Sequence, residues 1–132
     1  MKLLFENWRK YLEEELYHGT SDVHKEAILQ SGVQSPSHWG TYQVAEYYAD
    51  VATDIDGGNK MIIHKKLSDF DQSLLKPDQN SIEEPLTYTL RKTEDEVWEE
   101  WEESDGTWQA SLSIVESVVY QGEMSINSEE IE

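Results

Sequence analysis

The stretch Tyr17-His18-Gly19-Thr20-Ser21 decides how the chain begins to fold. The residues from Leu16 to His18 have the apolar and aromatic character of a short strand, which we expect to end at Gly19. Ser21 suits the N-cap of a following helix, and Asp22 would lie in its first turn. The stretch therefore predicts a strand, a glycine turn and a helix start in direct succession.

Further along the chain, helical and strand signals alternate without an internal repeat. Residue spacing predicts helices over 22–31, 42–52 and 93–105, a short helix after Gly106, and strands over 61–64, 86–90 and 114–120. Residues 33–41 are predicted to be a loop, and Pro77-Asp78 a turn. This order indicates an α+β fold and not a doubly wound parallel sheet.

Each predicted helix has an apolar face. The inward residues are expected to be Val23, Ala27 and Ile28 in the first helix, Val44, Ala45 and Tyr48 in the second, and Val97, Trp98 and Trp101 in the third. Gly32 is well placed to end the first helix, and Thr93 with Glu96 forms a capping box that opens the third. Residues 93–105 contain no Lys or Arg, so their many acids should form a solvated face.

Composition limits the classes of partner. The chain has 132 residues, which suits one domain, and its net charge of −18 should repel nucleic acid. A basic protein partner agrees better with this charge, although solubility alone also explains it. No cysteine is present, which excludes thiol catalysis, and no apolar run reaches the ~20 residues of a membrane span. The four histidines lack ligand spacing, so we expect no metal.

His18 and Gly19 are the first candidates for a binding site. A glycine lets a ligand approach the backbone closely, and exposed N–H groups at a helix start favour anions. A histidine held on the strand can hydrogen-bond a ribose hydroxyl. A plain strand–turn–helix with an exposed histidine is the alternative interpretation.

Aromatic residues provide a second candidate. His38-Trp39-Gly40-Thr41-Tyr42 is followed by Tyr47-Tyr48, and such rings can clamp a flat heterocycle. Stacking of this kind adds roughly 0.5–1.5 kcal/mol beyond area burial. Alternatively, Tyr48 packs in the core and Tyr47 lies on the surface.

The third candidate is Glu116, which lies within the predicted strand 114–120. Alternation would place it on the same face as Ile114, Val118 and Tyr120. If that face is buried, the carboxylate needs a partner or a function; if it is solvated, Glu116 is one more surface acid.

These signals together resemble the ADP-ribosyltransferase superfamily, in the His-Tyr-Glu branch that includes the poly-ADP-ribose polymerases. Residues 17–21 are similar to that branch's His-Gly-Ser/Thr strand, and 27–33 to the helix that follows it. Residues 45–49 are similar to the helix with a nicotinamide-site tyrosine, and 116–120 to the strand with the catalytic glutamate. The resemblance covers residues 16 to about 126.

The resemblance implies a split β-sheet core with short helices and NAD as the substrate. His18 would bond the nicotinamide ribose, the Gly19 backbone would hold the nicotinamide amide, and Tyr48 would stack on the ring. Glu116 would bond the ribose 2′-hydroxyl and stabilise the oxocarbenium-like state as nicotinamide leaves. The implied cofactor-binding residues are Tyr17, Gly19, Thr20, Ser21, Trp39 and Tyr42.

The chain departs from the family pattern in three ways. Gly40-Thr41-Tyr42 supplies a Gly-x-Tyr motif, but close to Tyr48, so Trp39 is the alternative first stacking ring. The small size implies that substrate-selecting loops are trimmed. Gln121-Gly122-Glu123 is similar to the motif of the toxin-like branch, in which an Arg stands where this chain has His18. We therefore prefer Glu116 to Glu123 as the catalytic carboxylate.

The N-terminal segment has a resemblance of its own. Residues 2–15 predict an amphipathic helix, and we divide the chain into a segment 1–14 and a domain 15–132. The segment resembles the leader of proteins packaged in the heads of large tailed phages, where a prohead protease cuts after Leu/Ile-x-Glu. Leu12-Glu13-Glu14 fits that pattern, which would make Glu15 the mature N-terminus. A plain N-terminal helix packed on the domain is the alternative.

Three functions follow as hypotheses. The first is NAD-dependent transfer of ADP-ribose to a host protein with a basic surface, in the host cytoplasm after delivery from the virion interior. The second is a catalytically inactive, acidic binding module of the same fold that blocks a basic partner. The third is a structural component of the virion, for which residues 1–14 would matter most.

Overall fold

The computed structural model describes residues 14–78 and 93–132. The predicted leader and most of the predicted N-terminal helix lie outside these residues, as does the predicted strand 86–90. Glu15, predicted as the last residue of that helix, instead begins the first strand.

The described strands form one five-stranded antiparallel sheet in the order β3-β1-β2-β5-β4. The strands are β1 (Glu15–Ser21), β2 (Ser37–Gly40), β3 (Lys60–Lys66), β4 (Leu75–Pro77) and β5 (Ser117–Tyr120). With helices packed on this sheet, the predicted α+β class is confirmed.

Four α-helices connect and cover the strands in the described residues. They are α1 (Lys25–Ser31), α2 (Tyr42–Asp56), α3 (Glu94–Glu103) and α4 (Trp108–Val115), and a 3-10 turn, Asp22–His24, precedes α1. The predicted N-cap Ser21 is confirmed, since its hydroxyl accepts the N–H of Val23 at 3.3 Å. Thr93 caps α3 in the same manner and accepts the N–H of Glu96 at 3.2 Å.

The two faces of the sheet bury different side chains. Leu16, Trp39 and Ile63 lie on one face, in the main apolar core together with Trp108 of α4. The opposite face is covered by α2, whose Ala45 and Ala49 pack with Ile62 and Tyr17. Because side chains alternate along a strand, neighbouring residues of β1 and β2 contact different layers.

The predicted loop 33–41 is wrong in its centre. Ser37–Gly40 forms β2, which lies inside the sheet between β1 and β5, and Trp39 is 0% exposed. Pro36 and Gly40 are typical of loops, but this short segment is strand because it pairs on both sides. Tertiary pairing here overrides local propensity.

The inward faces of the helices are partly as predicted. Val97 is 0% exposed and packs with Val115, Trp98 and Trp101, which confirms the apolar face of α3. In contrast, Val23 is 53% exposed and Ala27 is exposed, so the inward face predicted for the first helix is wrong except at Ile28. That helix lies at the edge of the core and contacts it only partly.

The predicted strand 114–120 is wrong in its first half. Ile114 and Val115 are the last residues of α4, and β5 begins at Ser117. Glu116 lies between them as the helix C-cap, with φ 56° and ψ 24° in the left-handed region. It therefore shares no strand face with Val118 and Tyr120.

Candidate functional site

The sheet opens between β1 and β2. These strands pair at Tyr17 and Gly40, whereas β1 and β3 pair along the whole of β1. Beyond that point the His18 side chain spans the gap, and its Nδ1–H donates to the backbone carbonyl of His38 at 2.7 Å. We call this gap, bordered by His18-Gly19 and His38-Trp39, the β1–β2 opening.

His18 lies on the core side of the opening, with its ring centroid 5.1 Å from that of Trp39. Burial lowers the pKa of His18 below its usual 6.5, and a nearby His38 charge lowers it further, although the bond to the His38 carbonyl opposes this. The ring is thus neutral at pH 7. Because a carbonyl can only accept, Nδ1 carries the hydrogen, and Nε2 is the acceptor.

Gly19 is required by the packing of α2. A Cβ at this position would overlap the backbone carbonyl of Ala45, so no other residue fits beneath the helix. The predicted close approach to the Gly19 backbone is therefore made by a helix of the same chain on this side. Ser21 also has an internal role, because its buried hydroxyl donates to the carbonyl of Gly57 and caps the 3-10 turn.

The rings predicted to clamp a heterocycle lie in different layers. Tyr48 of α2 is half-buried and stacks on His38, with centroids 5.3 Å apart and an interplanar angle of 19°. Tyr42 is 45% exposed and packs edge-on against Tyr17 at 5.4 Å. Trp39 is enclosed in the opposite layer, where it contacts Phe70, and it does not accompany Tyr48.

Glu116 lies at the end of β2 remote from His38. Its carbonyl accepts the N–H of Thr41 at 3.0 Å and occupies the space where a Cβ on Gly40 would stand. The carboxylate is partly enclosed, and its Oε2 atom is shielded from solvent. Glu123, the alternative carboxylate, is exposed.

The register of β1, β2 and β5 gives the position of Glu116 relative to the β1–β2 opening. Gly40 pairs with Tyr17 on one side and with Ser117 on the other. Glu116 and His18 lie on opposite sides of this row, so two strand spacings across the sheet and two residues along it, about 12 Å in all, separate the backbones that carry them. The candidates thus lie on three neighbouring strands and on α2, but their side chains are divided between the two faces, with His18 beside Trp39 and Tyr48 on the α2 side.

A second polar cluster was not predicted from the sequence. His38 Nδ1–H donates to Asp78 Oδ2 at 2.8 Å, and the Ser117 hydroxyl donates to the same oxygen at 2.7 Å. The Asp78 N–H donates to the Ser111 hydroxyl at 2.8 Å, which in turn donates to the Ser117 carbonyl at 2.6 Å. The hydrogen bond from His38 to Asp78 raises the pKa of the His38 imidazole.

One sequence signal could have indicated His38 and none indicated Asp78. Had 37–40 been recognised as a strand, alternation would have placed His38 opposite the buried Trp39. Asp78 follows Pro77, which belongs to β4 rather than to the predicted turn, and its partners lie at least 33 residues away in the sequence.

A separate cavity of about 420 Å³ lies beside α1 and has Thr20, Ile28 and Gln34 in its wall. Of the candidate residues, Thr20 alone lines it. In residues 14–78 and 93–132, no three His, Asp or Glu side chains gather as metal ligands do. No helix of these residues is long and apolar enough to cross a membrane.

Comparisons with known proteins do not assign the chain to a family. No known protein family matches the sequence, and no curated protein is significantly similar to it.

Proposed function

We propose that this protein transfers ADP-ribose from NAD to a protein acceptor, on an ADP-ribosyltransferase-like fold whose sheet splits at the β1–β2 opening. The observation that carries the proposal is this opening, with His18 at its border and Glu116 beside the row where β1, β2 and β5 meet. A ligand seated at this gap would reach His18 on one face of the sheet and Tyr48 on the other. The family resemblance supplies the identity of that ligand.

His18 would hold the ribose next to nicotinamide. Its Nδ1–H is engaged by the His38 carbonyl, which fixes the ring and leaves Nε2 as the acceptor of a ribose hydroxyl. The lowered pKa keeps this acceptor neutral at pH 7.

Glu116 would stabilise the positive charge that develops on the ribose as the glycosidic bond breaks. A left-handed backbone costs roughly 1–2 kcal/mol for a residue with a Cβ, yet a glutamate occupies this position. Such backbone strain tends to occur at functional sites. The shielded Oε2 atom also indicates a carboxylate in a water-poor setting, where its charge acts more strongly.

Tyr48 and Tyr42 would contact the nicotinamide ring from α2, since Trp39 is enclosed in the core. Thr20, and the cavity that it lines beside α1, would receive the remainder of the dinucleotide. The acceptor in this proposal is a host protein with a basic surface, which the net charge of −18 would attract.

A second candidate is the inactive binding module, and specific observations favour it. Gly19 and Ser21 each have a packing or capping role that explains them without a ligand. The acids of α3 whose side chains are described all face solvent, as a docking surface for a basic partner requires. This candidate predicts that NAD does not bind and that His18→Ala is tolerated in partner binding.

Incubation of the purified protein with labelled NAD and a host lysate tests the transferase. We expect label on a protein band with the parent, and a loss of about 100-fold or more with Glu116→Gln, the range seen when a preorganised electrostatic group is removed. Glu116→Gly is a useful companion because it relieves the left-handed strain while removing the carboxylate, and it should be folded and inactive. No labelled band with the parent, and no heat of NAD binding by calorimetry, would favour the inactive module.

A further inference from the structure

His38 and Asp78 form a histidine–carboxylate pair on the α2 side of the sheet. The His38 ring is 40% exposed, whereas the Asp78 side chain is 1% exposed. The Ser117 hydroxyl donates to the carboxylate, and the Ser111 hydroxyl accepts the Asp78 backbone N–H, so both the side chain and the backbone of Asp78 are held. A solvent-accessible ring is thus fixed by a buried anchor.

The pair determines which nitrogen of His38 exchanges protons. Nδ1 must carry its hydrogen because its partner is a carboxylate oxygen 2.8 Å away. The other nitrogen, Nε2, is the one that accepts or releases a proton. An imidazole oriented in this way by a third group is the usual arrangement of a general base.

His38 also lies at the β1–β2 opening. Its own carbonyl accepts the Nδ1–H of His18, and its ring stacks on Tyr48. The His38 imidazole is therefore in contact with Tyr48, whereas His18 contacts the His38 backbone from the opposite face of the sheet. The imidazole would thus approach the reacting ribose from the α2 side.

We propose, on the basis of the transferase function, that His38 removes the proton from an acceptor hydroxyl, with Asp78 as its positioning residue. The bond from ribose C1′ to the nicotinamide nitrogen breaks, and its electron pair passes to that nitrogen. The acceptor oxygen forms a bond to C1′, its proton moves to His38 Nε2, and the imidazolium then returns this proton to solvent.

The inference names a class of acceptor. A hydroxyl, in a protein side chain or in water, must lose its proton as it attacks. A carboxylate acceptor is already ionised at pH 7 and needs no base. The pair therefore favours serine, threonine or tyrosine over glutamate or aspartate as the modified residue.

The proposed base should also set a pH dependence. His38 must be neutral to accept a proton, so the rate should rise with pH through the pKa of His38, which its bond to Asp78 raises above 6.5. The titratable groups facing it are His18 from β1, Tyr48 from α2 and Asp78 after β4. Asp78→Asn removes the anchoring charge and should move the profile to lower pH.

The test compares nicotinamide release from NAD by the parent, His38→Gln and Asp78→Asn, with water or added azide as the acceptor. Azide carries no proton to be removed. For His38→Gln we expect about a 100-fold loss with water, the lower end for general-base removal, and recovery of most of this loss with azide. NAD affinity should stay within about twofold, since this base acts on the acceptor. Asp50→Asn is the matched control for Asp78→Asn, because Asp50 forms an exposed pair with Lys60 at 2.7 Å, and it should match the parent.

Two results would overturn the inference alone: an active parent with an equally active His38→Gln, or a loss that is the same with azide and with water. The Asp78→Asn variant, checked for folding by circular dichroism, gives a test that does not depend on the His38 variant. If its pH–rate profile matches that of the parent, the result counts against the His38–Asp78 pair. A parent that releases no nicotinamide overturns the proposed function itself, and this inference with it.

Discussion

His18 and His38 lie on neighbouring strands and are joined by a hydrogen bond, yet their surroundings favour opposite protonation states. His18 faces the apolar core beside Trp39, and burial lowers its pKa. His38 faces α2, and its bond to Asp78 raises its pKa. Because side chains alternate along each strand, His18 and His38 point into opposite layers. The β1–β2 opening is therefore bordered by a neutral acceptor, His18, and by a group that binds a proton readily, His38.

A permanent positive charge at position 18 or position 38 should give the largest difference in stability between the two histidine sites. His18→Lys places an ammonium in the apolar layer, and we expect it to lower the free energy of unfolding by about 2–3 kcal/mol. His38→Lys places the same charge beside Asp78 and should change stability by less than about 1 kcal/mol. Urea denaturation measures both, and equal losses would show that the two layers do not differ as described.

Removal of the buried anchor should have the next largest effect. Asp78→Ala deprives Ser117 and His38 of their acceptor, and we expect a loss of about 2 kcal/mol in unfolding free energy. Because the His38 ring is partly exposed, solvent weakens its attraction to the Asp78 carboxylate, and charge attraction accounts for only part of this loss. Asp50→Ala is the matched control, because its pair with Lys60 is exposed, and it should leave the urea midpoint nearly unchanged. An equal effect of both substitutions would contradict a special role for Asp78.

The pH dependence of stability should have opposite signs at the two histidines. Below pH 6.5 the unfolded chain binds a proton at position 18 more readily than the folded protein, so the contribution of His18 is present above pH 6.5 and lost as pH falls. The contribution of His38 is present below pH 6.5 and is lost as pH rises through its raised pKa. Titration of both ring signals by NMR checks the order, and a higher pKa for His18 would contradict it.

The smallest effect is expected at the stacked ring. Tyr48→Leu removes the stacking on His38 and should cost about 0.5–1 kcal/mol. The ring signals of His38 should move in the NMR spectrum, whereas those of His18, in the other layer, should not. Tyr47→Leu is the comparison, since Tyr47 contacts Tyr48 edge-on. A displacement of the His18 signals as large as that of His38 would show that the layers are coupled.

The sequence predicts those elements whose residues make local signals. Local signals of this kind predict the strand at Tyr17, which continues past its expected end at Gly19 to Ser21. They also predict the Ser21 cap, the strand at 61–64 and the apolar stripe of α3. Strand β2 is not predicted, because the four residues that follow Pro36 become strand only through pairing on both sides.

The candidate site was only partly predictable for the same reason. The sequence draws attention to Glu116 as an acid among apolar residues, but it predicts a strand where the chain turns through a left-handed residue. The partnership of His38, Asp78 and Ser117 joins positions up to 40 residues apart, and no spacing rule connects them. Patterns of residues along the chain do not predict contacts that form only through tertiary pairing.

The most direct test of the account is an NMR titration of the isotope-labelled protein with NAD, followed through its amide and histidine signals. We expect saturable shifts that centre on the β1–β2 opening, at His18, His38, Tyr48 and Glu116, and that vanish in His18→Ala. Shifts confined to another part of the surface, or none at millimolar NAD, would contradict the proposed site.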